Sequence, residues 1–199
     1  MIKHKDEIPI FIPKGNVNFI ILGTMGSINA RSIDDQKPEG EFFYYNNSRN
    51  HFWKVIQLLL NPKKAAEKNW SVKDKKAFLQ KHGIAMTNIV DEAIVPNKDA
   101  LDPSDTILFD AHKKGRVTFK TLSPRFRKLM KTTPLFFTCR RKPGIENLLL
   151  GLLQENNLEN DLINHVWYWP TPTRCNPLAR SILWKKEMDV FLDSIAYDK

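Results

Sequence analysis

Asn18-Phe-Ile-Ile-Leu-Gly-Thr-Met-Gly-Ser27 begins as a short apolar run between polar residues and ends in a glycine-rich turn. That is the pattern of a buried strand whose chain must bend sharply where it leaves the sheet. Beyond it, Phe52, Val55, Ile56 and Leu59 recur at helical spacing, so the segment from about Asn50 to Leu60 reads as an amphipathic helix stopped near Asn61-Pro62. A second helix starts at Ser71, where Asp74 completes a capping box, and runs through Phe78 and Leu79 to a stop at Gly83. The apolar run from Ile84 to Val90 then reads as one strand.

From Glu92 to Thr121 prolines, acidic turns and the basic Lys113–Arg116 tract predict a long loop region with one or two short elements. Ser123-Pro124 is a helix start, because serine caps and proline is preorganised at the first helical position, and Phe126, Leu129 and Met130 supply that helix's inner face. Leu135 to Thr138 reads as a strand, Ile145, Leu148, Leu149, Leu152 and Leu153 as a helical stripe, and His165 to Trp169 as the next strand. The final helix is expected from about Pro177 to Ile195, with Leu178, Ile182, Leu183, Phe191, Leu192 and Ile195 facing inward. Strands alternating with helices predict a parallel sheet covered on both faces. In such folds function gathers beyond the carboxyl ends of the strands, here Gly23–Ser27, Thr87–Asp91 and Pro170–Asn176.

The 199 residues fit one domain with its own core. No apolar run approaches the roughly 20 residues needed to cross a bilayer. The N-terminus shows no leader pattern, so the chain is expected in the cytoplasm and, in a bacterium, with the nucleoid. Cys139 and Cys175 offer neither metal spacing nor a disulfide framework. Lysine and arginine outnumber acidic residues 31 to 22, a formal charge of +9. A polyanionic partner, double- or single-stranded DNA, is therefore expected, held by counterion release. Arg140, Arg141 and Lys142 form one of the basic clusters. The alternative is a solvated basic face.

Two stretches carry chemistry. The turn of Gly23, Thr24, Met25, Gly26 and Ser27 can aim backbone N–H groups at an anion or carbonyl oxygen, although it has neither the lysine of a phosphate loop nor a dinucleotide fingerprint. The run Phe42-Phe-Tyr-Tyr-Asn-Asn-Ser-Arg-Asn-His-Phe-Trp53 interleaves flat rings with amides just before a helix. A base swung out of a helix needs both, rings to stack on and amides to read its edge, though Phe52 and Trp53 also suit a core.

Asn50-His-Phe-Trp-Lys-Val-Ile56, with Tyr44-Tyr45 before it, resembles a motif block of the uracil-DNA glycosylase superfamily, nearest to the hypoxanthine and mismatch-specific uracil or thymine branches. Gly23-Thr-Met-Gly-Ser27, Gly83-Ile-Ala-Met-Thr-Asn-Ile-Val-Asp91 and Pro170-Thr-Pro-Thr-Arg-Cys-Asn176 fall in the same order as that family's other blocks, so the likeness runs over about residues 17–185. It implies a three-layer α/β/α sandwich with a central four-stranded parallel sheet. It also implies a monofunctional DNA glycosylase, monomeric, needing no metal or cofactor, that hydrolyses the bond to a flipped base such as hypoxanthine or uracil.

The family's mismatch branch positions water with an asparagine where this chain has Met25, a side chain that cannot do so. The hypoxanthine branch uses an asparagine before its Phe-Trp helix, which matches Asn50, and Asp91 is the rival for activating water. Phe43 or Tyr44 would stack on the base, Tyr45 would narrow the pocket, and His51 would donate to the base or pack beside Phe52. Asn88 would read a base edge or fasten two loops. Thr171, Thr173, Arg174 and Asn176 would contact DNA, with Arg174 entering the groove and Asn176 alternatively capping the last helix. A silent DNA-binding module of the same fold, a glycosylase for a bulkier base and an unrelated nucleotide enzyme are the competing expectations.

Overall fold

The computed structural model describes residues 1–26, 43–45, 50–63, 70–97 and 104–197, with side chains of the last helix described to residue 190. Strand β1 spans Ile2–Lys5, β2 Phe19–Gly23, helix α1 Phe52–Leu60, α2 Val72–His82, β3 Ile84–Asn88, β4 Val90–Val95 and α3 Asp105–Lys113. Strand β5 follows at Val117–Phe119, α4 at Pro124–Thr132, β6 at Leu135–Phe137, α5 at Pro143–Glu155, a 3-10 turn at Asn160–His165, β7 at Val166–Tyr168 and α6 at Pro177–Tyr197.

Four parallel strands form a sheet in the order β3-β2-β6-β7, with Ile20 opposite Ala85 on one side and Leu135 on the other. Because side chains alternate along a strand, β2 serves two cores. Ile20 and Leu22 face one that also holds Phe126 and Met130 of α4 and the Ile145, Leu148, Leu149, Leu152 and Leu153 stripe of α5. Phe19 and Ile21 face another built with Phe52, Val55, Ile56 and Leu59 of α1, Leu79 of α2 and Trp184 of α6. Helices thus flank the parallel sheet on both faces. Among the described residues no helix is long and apolar enough to cross a membrane.

The local signals explain the ends of these elements. Ser71 and Asp74 exchange the two bonds of a capping box, and Gly83 ends α2 with φ +62°, a left-handed turn suited to glycine. Ser123 caps α4 by accepting from the Phe126 N–H, with Pro124 in the first turn.

Three expectations are corrected. The run from Ile84 to Val90 is not one strand: it divides at Ile89, and β4 leaves for a second sheet. That sheet is antiparallel, in the order β1-β4-β5, and with α3 it fills the segment read as mostly loop. Its Val90, Ala93, Val95 and Phe119 close the first core, while Asp91 and Glu92 interrupt the apolar pattern that would have announced a strand. Helix α6 forms, but Leu178, Ile182 and Leu183 are exposed by 55%, 62% and 38%, and Ser181 and Trp184 are buried instead. The Trp184 ring stacks on Trp169 with centroids 4.3 Å apart, which rotates the leucine stripe outward. The side chains of Phe191, Leu192 and Ile195 lie outside the described residues.

Candidate active site

The parallel strands deliver Gly23, Asn88, Thr138 and Trp169 to one edge of the sheet. Gly23 has no room for a side chain: a Cβ there would stand 2.5 Å from Asn88 Oδ1 and 3.1 Å from the Tyr45 hydroxyl. The carbonyls of Gly23 and Thr24 both accept from the Ile89 N–H, at 2.9 and 3.1 Å, and Thr24 accepts from Val90 as well. The turn is therefore pinned by the β3–β4 junction. Met25 is half-buried against the first core, and a Cβ on Gly26 would meet Asp6 and Ile8. Ser27 and Phe42 lie outside the described residues.

Asn50 sits just before α1. Its Oδ1 accepts from the Phe52 N–H at 2.9 Å, and its Nδ2 reaches Thr173 Oγ1 at 3.4 Å. The backbones bridge there too, and His51 N–H donates to the Pro172 carbonyl at 3.0 Å. The loop before α1 and the loop before α6 are thereby brought together. In the latter, Thr171 accepts from the Thr173 N–H, and Asn176 accepts from Leu178 and Ala179, capping α6. Arg174 is exposed with φ +50°.

The aromatic residues divide. Phe43 is buried between Trp53, stacked at 6.0 Å, and the edge-on ring of Tyr44. The Tyr44 hydroxyl lies 2.6 Å from the Pro9 carbonyl oxygen and 2.9 Å from that of Met86. Both rings stand in the core. Tyr45, held at φ +57°, stacks on Phe52 at 4.2 Å, and its hydroxyl is 2.5 Å from that of Thr138. Burial pushes the Tyr45 hydroxyl pKa up, against the Thr138 bond.

Asn88 and Asp91 belong to a polar lock beside the turn. Asn88 Nδ2 donates to buried Asp6 at 2.8 Å, and the Lys120 ammonium lies 3.0 Å from Asp91 and 3.7 Å from the Asp6 carboxylate. Lys120 also donates to the Asp6 backbone carbonyl. Of the two uses expected for Asn88, the described contacts are the fastening one.

Sequence reasoning missed Asp105, the first residue of α3, whose Oδ1 accepts from the Thr24 hydroxyl at 2.7 Å. Burial raises its carboxyl pKa, while the Thr24 bond and the Lys142 charge oppose. Cys139 faces it from the end of β6, and burial with that carboxylate pushes the thiol up to about 12. The signal available was Ser104-Asp105, a capping serine followed by an acid suited to the helix N-terminus. Tyr168 was also missed: burial first, then Glu146, drives its hydroxyl up to about 12, and that oxygen has no hydrogen-bond partner among the described residues. The Arg141 guanidinium lies 5.8 Å from the centroid of the Tyr168 ring and bonds Glu146, and Arg140 and Lys142 stand exposed on either side of it in sequence.

No protein-family model and no curated protein sequence matches the chain. A solved structure does: the solution NMR structure of a candidate uracil DNA glycosylase from Methanosarcina acetivorans, at 16% identity and a TM-score of 0.51, covering 94% of this chain and 99% of that one. Likeness at that identity is a likeness of architecture, and the chain shares its α/β fold, a four-stranded parallel sheet flanked by helices, with that protein.

Proposed function

We propose that the protein is a monofunctional DNA glycosylase that hydrolyses the N-glycosidic bond of an extruded hypoxanthine or uracil. The observation that carries this reading is the joining of Asn50 to the Pro170–Asn176 loop, at the sheet edge where the Gly23 turn also ends. Breaking the bond leaves negative charge on the base and positive charge on the sugar. In this reading the Gly23–Gly26 turn faces the base, Tyr45 walls its site, and Phe43 and Tyr44 support that wall from the core. Asn50 positions the water. A carbonyl oxygen has two lone pairs; Phe52 N–H uses one on Oδ1 and fixes its direction, leaving the other for the water. Asp91 lies 3.0 Å from the Lys120 ammonium, and in this reading its carboxylate serves the fold. Asn50→Ala should slow single-turnover base release at least about tenfold, the cost of losing a positioning group. An unchanged rate in a folded variant would sink the assignment.

DNA is held along the same edge by Arg140, Lys142, Arg141 and Arg174. Arg174→Ala should leave the melting temperature in place and lower the slope of log affinity against log salt by about 1. An unaltered slope would remove Arg174 from the DNA contacts. A silent DNA-binding module is the second reading, favoured by Met25, whose side chain packs into the core and offers the turn no polar group. Release of free base from any altered duplex eliminates it.

A further inference from the structure

We propose that Asp105 reads the base: with Oδ1 held by Thr24, its Oδ2 accepts the ring N–H that lies beside the carbonyl in hypoxanthine and uracil. The inference rests on the glycosylase reading and goes beyond it by assigning a recognition residue and a chemical class, lactam bases with a free ring N–H.

The placement comes from four segments that meet at one end of the sheet. Thr24 follows β2 and donates to Asp105 at 2.7 Å. Tyr45 and Cys139 are close enough to interact electrostatically with Asp105, as is Lys142 at the entry to α5. The Tyr45 hydroxyl is in turn tied to Thr138 and lies against Gly23. Asp105 is thus a half-buried carboxyl bonded to Thr24, the residue next to Gly23 in the turn that the glycosylase reading sets against the base. Thr24 engages one oxygen and fixes the plane of the group. Asp105 is also the first residue of a nine-residue helix, where α3 begins under its Ser104 cap, so its backbone is not free to swing.

The chemistry selects a class. An ionised carboxylate only accepts hydrogen bonds. Hypoxanthine and uracil offer a ring N–H beside the carbonyl, whereas adenine and cytosine offer a bare ring nitrogen whose lone pair would face the carboxylate. A site built to bond an N–H rejects an analogue without it strongly, because the buried acceptor is left unmatched. The accepting form is the deprotonated one. Since burial raises the Asp105 pKa, release of a lactam base should fall as pH drops through a value raised above that of an unburied aspartate. The groups facing it are the Thr24 and Tyr45 hydroxyls, the Cys139 thiol, which is neutral at that pH, and the Lys142 side chain.

The test is single-turnover release from duplexes carrying hypoxanthine or 1-methylhypoxanthine, and uracil or 3-methyluracil, with wild type, Asp105→Asn and Asp105→Ala, across pH 4–8. Wild type should release the unmethylated base at least about a hundredfold faster than its N-methyl partner. Asp105→Asn keeps an acceptor for Thr24, so it should fold; it should lose most of that preference and the acid limb of the profile. Asp105→Ala should lose both as well. Equal rates on methylated and unmethylated bases in wild type, or an Asp105→Asn variant with the wild-type preference and acid limb, would overturn the role of Asp105 and leave the glycosylase standing. No release of any base by wild type would overturn the glycosylase reading and this inference with it.

Discussion

Trp184→Ala is expected to lower the unfolding free energy by about 3–5 kcal/mol, the range for deleting a fully buried aromatic side chain. The ring is completely buried, stacked on Trp169 with centroids 4.3 Å apart and tilted against Phe52 at 6.1 Å. Its indole N–H donates to the Pro170 carbonyl at 2.9 Å. No neighbouring side chain can fill that volume, because Trp169 is itself pressed between Trp184 and Phe136, stacked at 4.3 Å. Trp184 therefore ties the start of the late loop to the helix that follows Asn50. Urea denaturation should register the loss in free energy, and under the proposed glycosylase function base release should fall along with it as the two loops lose their common support. Trp184→Phe separates the contributions. It keeps most of the stacking and loses the hydrogen bond, so it should cost about 1–3 kcal/mol, the penalty for an unmatched buried carbonyl. An alanine variant as stable as wild type would show that α6 is not held to the sheet through this ring.

Lys120→Met is the second large effect, about 3–5 kcal/mol, because it removes the cation from a buried carboxylate while keeping the length of the side chain. The burden falls mainly on Asp6, whose side chain is wholly buried; Asp91 is 33% exposed and water screens its charge. Adding Asp6→Asn should recover much of the loss, whereas adding Asp91→Asn should recover little. Equal recovery by both would place the important charge at the surface. The functional consequence runs through Asn88: it bonds Asp6, and its Oδ1 lies where a side chain on Gly23 would be. Loosening Asp6 therefore loosens the glycine turn.

The elements that were legible from the sequence are those whose signals are local. The capping box at Ser71 and Asp74, the left-handed Gly83, the Ser123-Pro124 start and the apolar strands each depend on neighbours a few residues away. The antiparallel sheet was not legible for the opposite reason. In β1 only His4 is buried, and the strand forms by pairing with β4, about ninety residues on, with Ile2 opposite Val95. The orientation of α6 could not be read because leucine spacing defines a stripe but not its competitor; the Trp169 ring decides that Trp184 goes inward. In the candidate site, Asn50 could be singled out through motif resemblance. Asp105 had no such signal, since its partner Thr24 is 81 residues away.

The junction at Ile89 also constrains how the gene can drift. One residue separates a strand of the parallel sheet from a strand of the antiparallel sheet, and its N–H is bonded to the carbonyls of Gly23 and Thr24. A single-codon insertion or deletion there would shift β4 by one residue and exchange its core-facing and solvent-facing side chains. Length variation between descendants of this chain should therefore be excluded from residues 84–95, and substitutions there should keep the apolar character of Val90, Ala93 and Val95.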